Sequence, residues 1–310
     1  MKIAVTCCNL DLALELVDKK IENIIVGLKG FSCRFNNYLD FEEIKILVEN
    51  KQNSLITVCL NNLYFEESIN ELEKVIKQLV DLKIDTIMFA DFAIPYIVKE
   101  NNYNVNLHYH PETIVTNYGQ FDFYLKNKIN SVSLASELTM TELNKIHENK
   151  DEMQTYIKIY GLGFIMHSRW PMISNFQEHL GCKTKIVSKY FNSINYLLIK
   201  EETRKYPNIL YEDFTGTHML TGYYLCGIKK INEFKKMDVD FILIDALFIH
   251  DSELHQIVDK FIDARNLNYG EEQLIKYHDE IQDGADFLIS EGFFGTINDR
   301  LHMLKEDANE

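Results

Sequence analysis

The densest run of side chains that could do chemistry is His108-Tyr109-His110-Pro111-Glu112. If the strand containing it continued through the run, residues 108, 110 and 112 would face one way. Two imidazoles and a carboxylate on one face could bind a metal ion or contact a substrate. Pro111 weakens the metal interpretation because proline disturbs the hydrogen-bond ladder of a strand. Substrate contact by His108 and Glu112 and a purely structural role both stay open, and no metal ligand is assigned.

Arginine is scarce in this chain, with five residues in all, and two of the five follow predicted strands. These two are Arg34 and Arg169. A guanidinium group binds a carboxylate through two parallel hydrogen bonds, so a pair of them suits a dicarboxylate, or a carboxylate together with a phosphate. The alternative is an ion pair at the surface or between structural units. We place both arginines in the predicted substrate site.

Several other side chains could act as nucleophiles or bases. Ser168 follows His167, which suggests a nucleophile with its base, although sequence neighbours rarely face each other. His218 could act as an acid or a base, or could equally be a turn residue. Cys7 and Cys8 end the first predicted strand, where cysteines are commonly buried and inert. We assign no catalytic residue from these patterns.

Short apolar, β-branched runs alternate along the chain with amphipathic helical stretches. The predicted strands are Lys2–Cys8, Asn23–Leu28, Leu55–Asn61, Thr86–Asp91, Asn106–His110, Ser131–Ala135, Thr155–Tyr160 and Phe241–Ile244. The predicted helices include Leu10–Lys19, Phe41–Asn50, Glu67–Leu82, Tyr118–Asn127 and Met140–Glu148. The spacing Thr139-x-x-Glu142 predicts a capping box at the start of the last of these helices.

Near-continuous apolar strands between helices predict a parallel sheet covered by helices, and eight such strands predict an α/β fold of the (β/α)8, TIM-like barrel type. An open doubly wound sheet is the alternative, but Gly161-Leu-Gly163 lacks the third glycine of a dinucleotide-binding turn. We predict a barrel domain over residues 1–250, with an elaborated region at about 166–230. A C-terminal helical extension should follow over 251–310, with helices at Ser252–Asn266, Glu271–Gln282 and Ala285–Glu291.

In such a barrel the polar residues that follow the strands gather on one face, which hosts the site. Some of these residues will instead be turn formers or helix caps. The polar residues in these positions are Asn9, Arg34, Asn61 with Asn62, Asp91, His108 to Glu112, Glu137, His167 to Arg169, and Asp245. The predicted substrate-binding residues are Arg34, Asn61, Asp91, His108, Glu112, Glu137, His167, Ser168, Arg169 and His218.

Composition narrows the class of protein. The 310 residues include 32 basic and 47 acidic side chains, a net charge of −15, which argues against a protein that binds nucleic acid alone. A small basic pocket or a basic partner is compatible with this charge. The six cysteines form no CxxC motif, so we expect reduced thiols and a cytoplasmic location. No run of 18 apolar residues occurs, so we expect no transmembrane helix.

The segment 159–176, IYGLGFIMHSRWPMISNF, resembles the signature region of the collagenase-like peptidase U-32 family. Members of that family have a Gly, a Cys, a Ser, a second Cys and then Ser-Asn in this register. Further blocks resemble the family over about residues 1–255. These are Gly27 to Asp40, with Arg34 on the family's Arg, Val58–Leu63, Ala90-Asp91, Leu107–Gly119, Leu134–Leu138, Glu212–His218 and Leu225-Cys226.

The chain departs from the family at the cysteines. Many members look set to hold a four-iron four-sulfur cluster on four Cys. The two signature Cys positions are Phe164 and Pro171 here, the third falls near Phe191, and Cys226 alone is kept. Phe and Pro cannot ligate iron, and one Cys cannot hold a cluster. The resemblance therefore implies a short member of the family with no cofactor in this chain.

Short members without a cluster resemble the smaller of two paralogues implicated, in bacteria, in hydroxylating the wobble uridine of tRNA at carbon 5. The resemblance implies a subunit that acts with a larger cluster-bearing paralogue and meets tRNA through the complex. The product would be 5-hydroxyuridine, and prephenate, a dicarboxylate, would be a cosubstrate. Two other functions stay open, namely a peptidase or hydrolase, as the family name says, and a non-catalytic scaffold.

Overall fold

A computed structural model describes residues 1–181, 189–200, 202 and 206–294; Cys182, Arg204, Arg300 and the acidic end of the chain lie outside them. The strands are β1 (Lys2–Cys7), β2 (Asn23–Gly27), β3 (Leu55–Leu60), β4 (Thr86–Phe89), β5 (Asn106–Tyr109), β6 (Ile129–Ser133), β7 (Gln154–Ser168), β8 (Lys189–Phe191), β9 (Ile194–Ile199), β10 (Asn208–Asp213), β11 (Gly216–Cys226), β12 (Phe241–Ile244) and β13 (Leu288–Ser290). The helices are α1 (Leu10–Asp18), α2 (Phe41–Asn50), α3 (Ile69–Asp81), α4 (Ala93–Glu100), α5 (Phe121–Lys126), α6 (Met140–His147), α7 (Met172–His179), α8 (Ile231–Lys236), α9 (Asp251–Asn266) and α10 (Glu271–Gly284).

Eight parallel strands close into a barrel. Strands β1 to β7 pair in sequence order, and β12 closes the ring by pairing with both β7 and β1. Strands such as β2 are buried along their whole length, because helices cover the outer face and side chains fill the inside. The predicted TIM-like barrel is thus confirmed, and the open doubly wound alternative is wrong.

The helices present their apolar faces to the barrel at the predicted spacing. In α3 the buried residues are Leu72, Val75, Ile76 and Leu79, which lie on one face of the helix. The capping box of α6 is confirmed, since the backbone N–H of Glu142 donates to Thr139 and that of Thr139 donates to the Glu142 carboxylate. Helices α4, α7 and α8 are not among the predicted helices. None of the described helices is long and apolar enough to cross a membrane.

Strand β7 belongs to two sheets. Its first half lies in the barrel, and its second half continues as an antiparallel partner of β11. Strands β10, β9 and β8 extend this second sheet, and α7 lies between β7 and β8 in the chain. Gly161 stands where β7 leaves the barrel, with a φ of +125°, and a Cβ there would come within 2.7 Å of Asp245. The insertion between the last two barrel strands is therefore a small antiparallel sheet.

The segment after the barrel begins with α9 and α10, close to the predicted helices. The third predicted helix, Ala285–Glu291, is wrong, because Leu288–Ser290 forms β13 alongside β11. A segment this short has little helical stability of its own, so pairing with the edge of β11 decides its conformation. The segment is tied to the barrel by an ion pair of 2.6 Å between Arg265 and Glu22. The domain boundaries at 250 and 251 stay a prediction.

Candidate functional site at the barrel mouth

Four charged side chains form a connected row at the carboxyl end of the barrel. Arg34 Nη2 lies 2.6 Å from Glu112 Oε2, and the other oxygen of Glu112 lies 3.9 Å from Lys158 Nζ. Lys158 Nζ in turn lies 2.9 Å from Asp245 Oδ2. Asp245 accepts a 3.2 Å hydrogen bond from Thr6 on the first strand. This end of the barrel thus holds a row of two basic and two acidic side chains, of which Arg34 and Glu112 were predicted site residues.

Two members of this row, Arg34 and Glu112, lie on loops that are held in constrained conformations. Arg34 follows β2 with a φ of +64°, and Glu112 follows β5 with a φ of +66°. Non-glycine residues adopt this region rarely and at an energetic cost, so the surroundings must hold them there. Asn61 fixes the backbone next to Arg34, accepting from Cys33 N at 2.9 Å and donating to Cys33 O at 3.2 Å. Asn61 therefore positions the Arg34 loop, and its predicted contact with a substrate stays a prediction.

Because the charge row is buried, the pKa values of Glu112 and Lys158 depend on their ion-pair partners. Burial alone would raise the pKa of Glu112, but attraction by Arg34 and Lys158 outweighs it and lowers that pKa below its usual value. For Lys158, burial would lower the pKa, while Asp245 and Glu112 raise it above the usual value. Glu112 and Lys158 are therefore both charged near neutral pH. Arg34 Nε is buried and has no hydrogen-bond partner among the described residues.

The two histidines of the first motif lie inside the barrel. His108 binds the hydroxyls of Ser131 and Ser133 at 2.8 Å each, and His110 binds Ser133 at 2.7 Å. Burial lowers the pKa of His108 well below its usual value and that of His110 to about 4. The third member of the motif, Glu112, turns to Arg34 instead. Within residues 1–181, 189–200 and 206–294, no group of three His, Cys, Asp or Glu side chains could hold a metal ion.

A second polar cluster lies where β7 and β11 pair beyond the barrel. The His167 and His218 rings stack at 4.7 Å, and Tyr211 stacks on His218 at 4.8 Å. His218 Nε2 contacts Thr215 Oγ1 at 2.9 Å and Asp213 Oδ1 at 3.1 Å. His218 Nδ1 and the Tyr211 hydroxyl are buried and unpartnered among the described atoms. The structure thus brings two of the predicted residues, His167 and His218, into direct contact.

The remaining predicted residues lie apart from these clusters. Arg169 is exposed, and its Cζ lies 3.5 Å from the centre of the Phe65 ring. Ser168 Oγ accepts from the backbone N–H of Trp170 at 3.3 Å. Asp91 accepts from the backbone N–H groups of Tyr64 and Ala93, which makes it a turn-forming residue. Glu137 is exposed. Arg34 and Arg169 have different partners here, so the predicted arginine clamp stays a prediction.

A cleft of about 300 Å³ opens beside the second cluster. Its walls come from the loop after β2, the β8–β9 turn and the β10–β11 turn. The lining residues include Phe35, Asn37, Tyr38, Asn195, Tyr211, Asp213 and Phe214. The Tyr38 and Phe214 rings meet edge to face at 5.8 Å. The cleft offers aromatic walls with amide and carboxylate groups, close to the Arg34 loop.

Reasoning from the sequence missed Lys158 and Tyr211 as members of these clusters. Lys158 interrupts the apolar strand at residues 155–160, and a lone charge in a buried strand was the available signal. Tyr211 had no comparable signal, because a tyrosine in an alternating strand is ordinary. Asp245 was noted as a polar residue after the last strand but was not included in the predicted site, and it ends the charge row.

The resemblance places the family's cluster cysteines at Phe164, at Pro171, near Phe191 and at Cys226, and only the last of these is a cysteine. The Arg34 guanidinium lies over the Phe164 ring, with Arg34 Cζ 4.8 Å from the ring centre. Pro171 is exposed before α7, and Phe191 packs on Phe248 at 5.3 Å. Cys226 is buried, and burial raises its thiol pKa to about 12. These residues do not fit an iron–sulfur cluster, because ligation requires thiolates.

Comparison with known proteins places the chain in a family. The family model described as peptidase family U32 matches residues 9–303, nearly the whole sequence. The chain belongs to peptidase family U32. The match extends beyond the region of about residues 1–255 in which the sequence motifs resemble the family. A solved U32 peptidase covers 79% of this chain and 93% of its own, at 14% identity and a TM-score of 0.48.

Two relatives carry names that refer to RNA. The chain is 25% identical over 256 residues to tRNA hydroxylation protein P2 of Bacillus subtilis, which covers 82% of each chain. It is 20% identical over 156 residues to tRNA hydroxylation protein P of Haemophilus influenzae, which covers 49% of this chain and 34% of the relative. This U32 chain is thus similar to P2 over most of both lengths, and to protein P over a smaller share.

A peptidase that uses a serine or threonine nucleophile needs a histidine between that nucleophile and a carboxylate, and two places in this U32 chain resemble such an arrangement. The nearest arrangement is Asp213, Thr215 and His218. Both the hydroxyl and the carboxylate contact the same ring nitrogen, Nε2, whereas a relay needs one ring nitrogen for the nucleophile and the other for the carboxylate. His167 and Ser168 do not form a pair either, since His167 Nε2 lies 3.1 Å from the Thr215 carbonyl oxygen. Neither arrangement has the geometry of a serine or threonine hydrolase.

Proposed function

We propose that this chain is a subunit of a tRNA hydroxylation system. The observation that carries the proposal is its 25% identity to tRNA hydroxylation protein P2 across 82% of both chains. An alignment of that length takes in most of the barrel rather than one motif. The second relative, tRNA hydroxylation protein P, has the same activity in its name. The reaction we propose is hydroxylation of the wobble uridine at carbon 5, which gives 5-hydroxyuridine.

The redox centre, in this proposal, belongs to a larger cluster-bearing relative that acts together with this chain. Two features support that division. The side chains of Phe164 and Pro171 have no atom that ligates iron, and the buried Cys226 thiol stays protonated. The net charge of −15 also favours a partner that supplies most contacts to RNA phosphates. The role left to this chain is to position the substrate.

A dicarboxylate such as prephenate is the cosubstrate in this proposal. Arg34 is balanced by Glu112 at 2.6 Å, so a ligand carboxylate there must compete with that ion pair. Arg169 is exposed and carries no such partner among the described residues. Cells unable to make prephenate should therefore lose the modified nucleoside even when both proteins are present. Persistence of 5-hydroxyuridine in such cells would remove prephenate from the proposal.

The decisive experiment is mass spectrometry of tRNA nucleosides from cells with and without this gene, in a strain that lacks redundant relatives. We expect loss of 5-hydroxyuridine and its 5-alkoxy derivatives, restored by the wild-type gene and lost again when the larger relative is deleted. An unchanged nucleoside profile would overturn the proposal. Complementation with Arg169→Ala separates two roles, because this exposed side chain is not needed for the core. No restoration indicates substrate contact, and full restoration favours a scaffold.

A further inference from the structure

Arg169 and Phe65 form a stack across the mouth of the barrel. Arg169 follows β7 and Phe65 lies in the loop after β3, and these two strands stand opposite each other in the eight-stranded ring. The guanidinium carbon lies 3.5 Å from the ring centre, which is the separation of a face-to-face stack. Both side chains are solvent-exposed, Phe65 by 38%. The pair therefore presents a flat, cationic surface at the rim of the barrel.

Trp170, the next residue along the chain, exposes its side chain from a fixed backbone. Its side chain is 69% exposed, yet its carbonyl oxygen accepts a 2.8 Å hydrogen bond from Thr217 and its N–H donates to Ser168. The backbone around residue 169 packs closely on Gly216 in the β10–β11 turn. The exposure of the indole thus does not come from a loose attachment. Covering a large exposed aromatic ring with a ligand removes apolar surface from water and so favours binding.

We propose that Arg169, Phe65 and Trp170 form a stacking platform for an unpaired nucleobase of tRNA, which would bring the anticodon loop to the barrel mouth. This inference rests on the proposed function and names the residues that hold its substrate. Aromatic rings and guanidinium planes are the groups on which proteins stack unpaired RNA bases, whatever the base. In a chain with a net charge of −15, contact through base faces also avoids the repulsion that phosphates would meet.

Trp170 provides a direct measurement because it is the only tryptophan of the chain. Titration of the full-length protein with single-stranded oligouridylate should quench its fluorescence to saturation. Inorganic polyphosphate, which offers the same charge without bases, should leave the fluorescence unchanged. Uridine oligonucleotides paired in a duplex with oligoadenylate should quench less than the single strand at equal concentration, since their base faces are covered.

Single-residue variants test which side chains bind the RNA. Their affinity for fluorescein-labelled oligouridylate is measured by fluorescence anisotropy, as a second readout. Trp170→Ala and Arg169→Ala should each weaken binding about fivefold or more, the loss expected for one base stack. Trp170→Phe, which keeps a ring, should retain most of the affinity. Tyr96→Ala is the matched control, because Tyr96 is 65% exposed on α4 and not on the two segments that carry the platform, and its removal should change the affinity less than twofold.

Equal quenching by polyphosphate, or wild-type affinity in both Trp170→Ala and Arg169→Ala, would overturn the platform. A blue shift of the Trp170 emission with rising protein concentration and no RNA would also overturn it, since that result assigns the surface to a second copy of the chain. The nucleoside experiment and the quenching experiment test different claims, and either can fail without the other. Loss of 5-hydroxyuridine without quenching removes only the platform, and quenching with an unchanged nucleoside profile removes only the proposed reaction.

Discussion

Arg34 is bound within the protein before any ligand reaches it. Its side chain and that of Glu112 are each only 9% exposed and lie 2.6 Å apart. Removing one member of such a buried pair leaves a charge without compensation and costs about 3–5 kcal/mol of stability. A change at Arg34 therefore disturbs folding and binding together. Arg169, which is exposed, is the arginine whose substitution can report on binding alone.

His110 predicts a pH dependence of stability. The unfolded chain takes up a proton on this histidine below about pH 6.5, whereas in the folded barrel its pKa is about 4. Protons therefore favour the unfolded chain, and stability present above pH 6.5 is lost as the pH falls. We expect the wild type to lose about 2 kcal/mol from this residue between pH 7 and pH 5. Urea denaturation at the two pH values measures the loss, and His110→Gln should reduce it; an equal loss in the variant would contradict this account.

At the level of the elements, contacts between the end of β7 and the β10–β11 turn position residues 168–170 at the rim of the barrel. Gly216 has a φ of +129° and stands against the carbonyl oxygen of Ser168, where a Cβ would collide. The same turn is closed by Asp213, which accepts from the backbone N–H of Thr215 at 2.8 Å. Thr217, one residue on, holds the carbonyl of Trp170. One tight turn thus positions both the second polar cluster and the exposed indole.

Gly216→Ala should therefore lower the free energy of unfolding by about 2 kcal/mol or more, from backbone strain and the collision with Ser168. Gly284→Ala is the control, because no atom lies within 4 Å of a Cβ at this last residue of α10. That change should leave stability within about 1 kcal/mol, with a stabilising sign. Urea titrations followed by circular dichroism compare the two variants. Equal midpoints would show that the turn tolerates a side chain.

For the whole molecule, the excess of acidic residues decides how RNA can be bound. A chain with a net charge of −15 and an arginine at the rim should bind RNA with little counterion release. We expect its affinity for single-stranded oligouridylate to fall less than about fourfold between 50 and 200 mM salt, the limit for one phosphate contact. The affinity of the complex with the larger relative for tRNA should fall far more steeply. Anisotropy at the two salt concentrations tests both; a steep fall for the isolated chain would place several phosphate contacts on it.

The sequence by itself determined the barrel and the residue types at positions 164 and 171. Strands such as Asn23–Gly27 are buried on both faces. Burial on both faces requires apolar residues along most of the strand, and this pattern is visible in the local sequence. The capping box at Thr139 is likewise a contact between residues three positions apart. Phe164 and Pro171 lack ligand atoms whatever the fold, so their chemistry needs no coordinates.

Only the tertiary structure decided which polar residues meet. Lys158 lies in β7, whereas Arg34, Glu112 and Asp245 lie in the segments after β2, β5 and β12, and closure of the barrel brings these four side chains together. Glu112 pairs with Arg34 at 2.6 Å, since a buried guanidinium requires a carboxylate, and its predicted contact with a substrate stays a prediction. The predicted helix Ala285–Glu291 was wrong because Leu288 and its neighbours pair with the edge of β11. The local sequence pattern does not encode this long-range pairing.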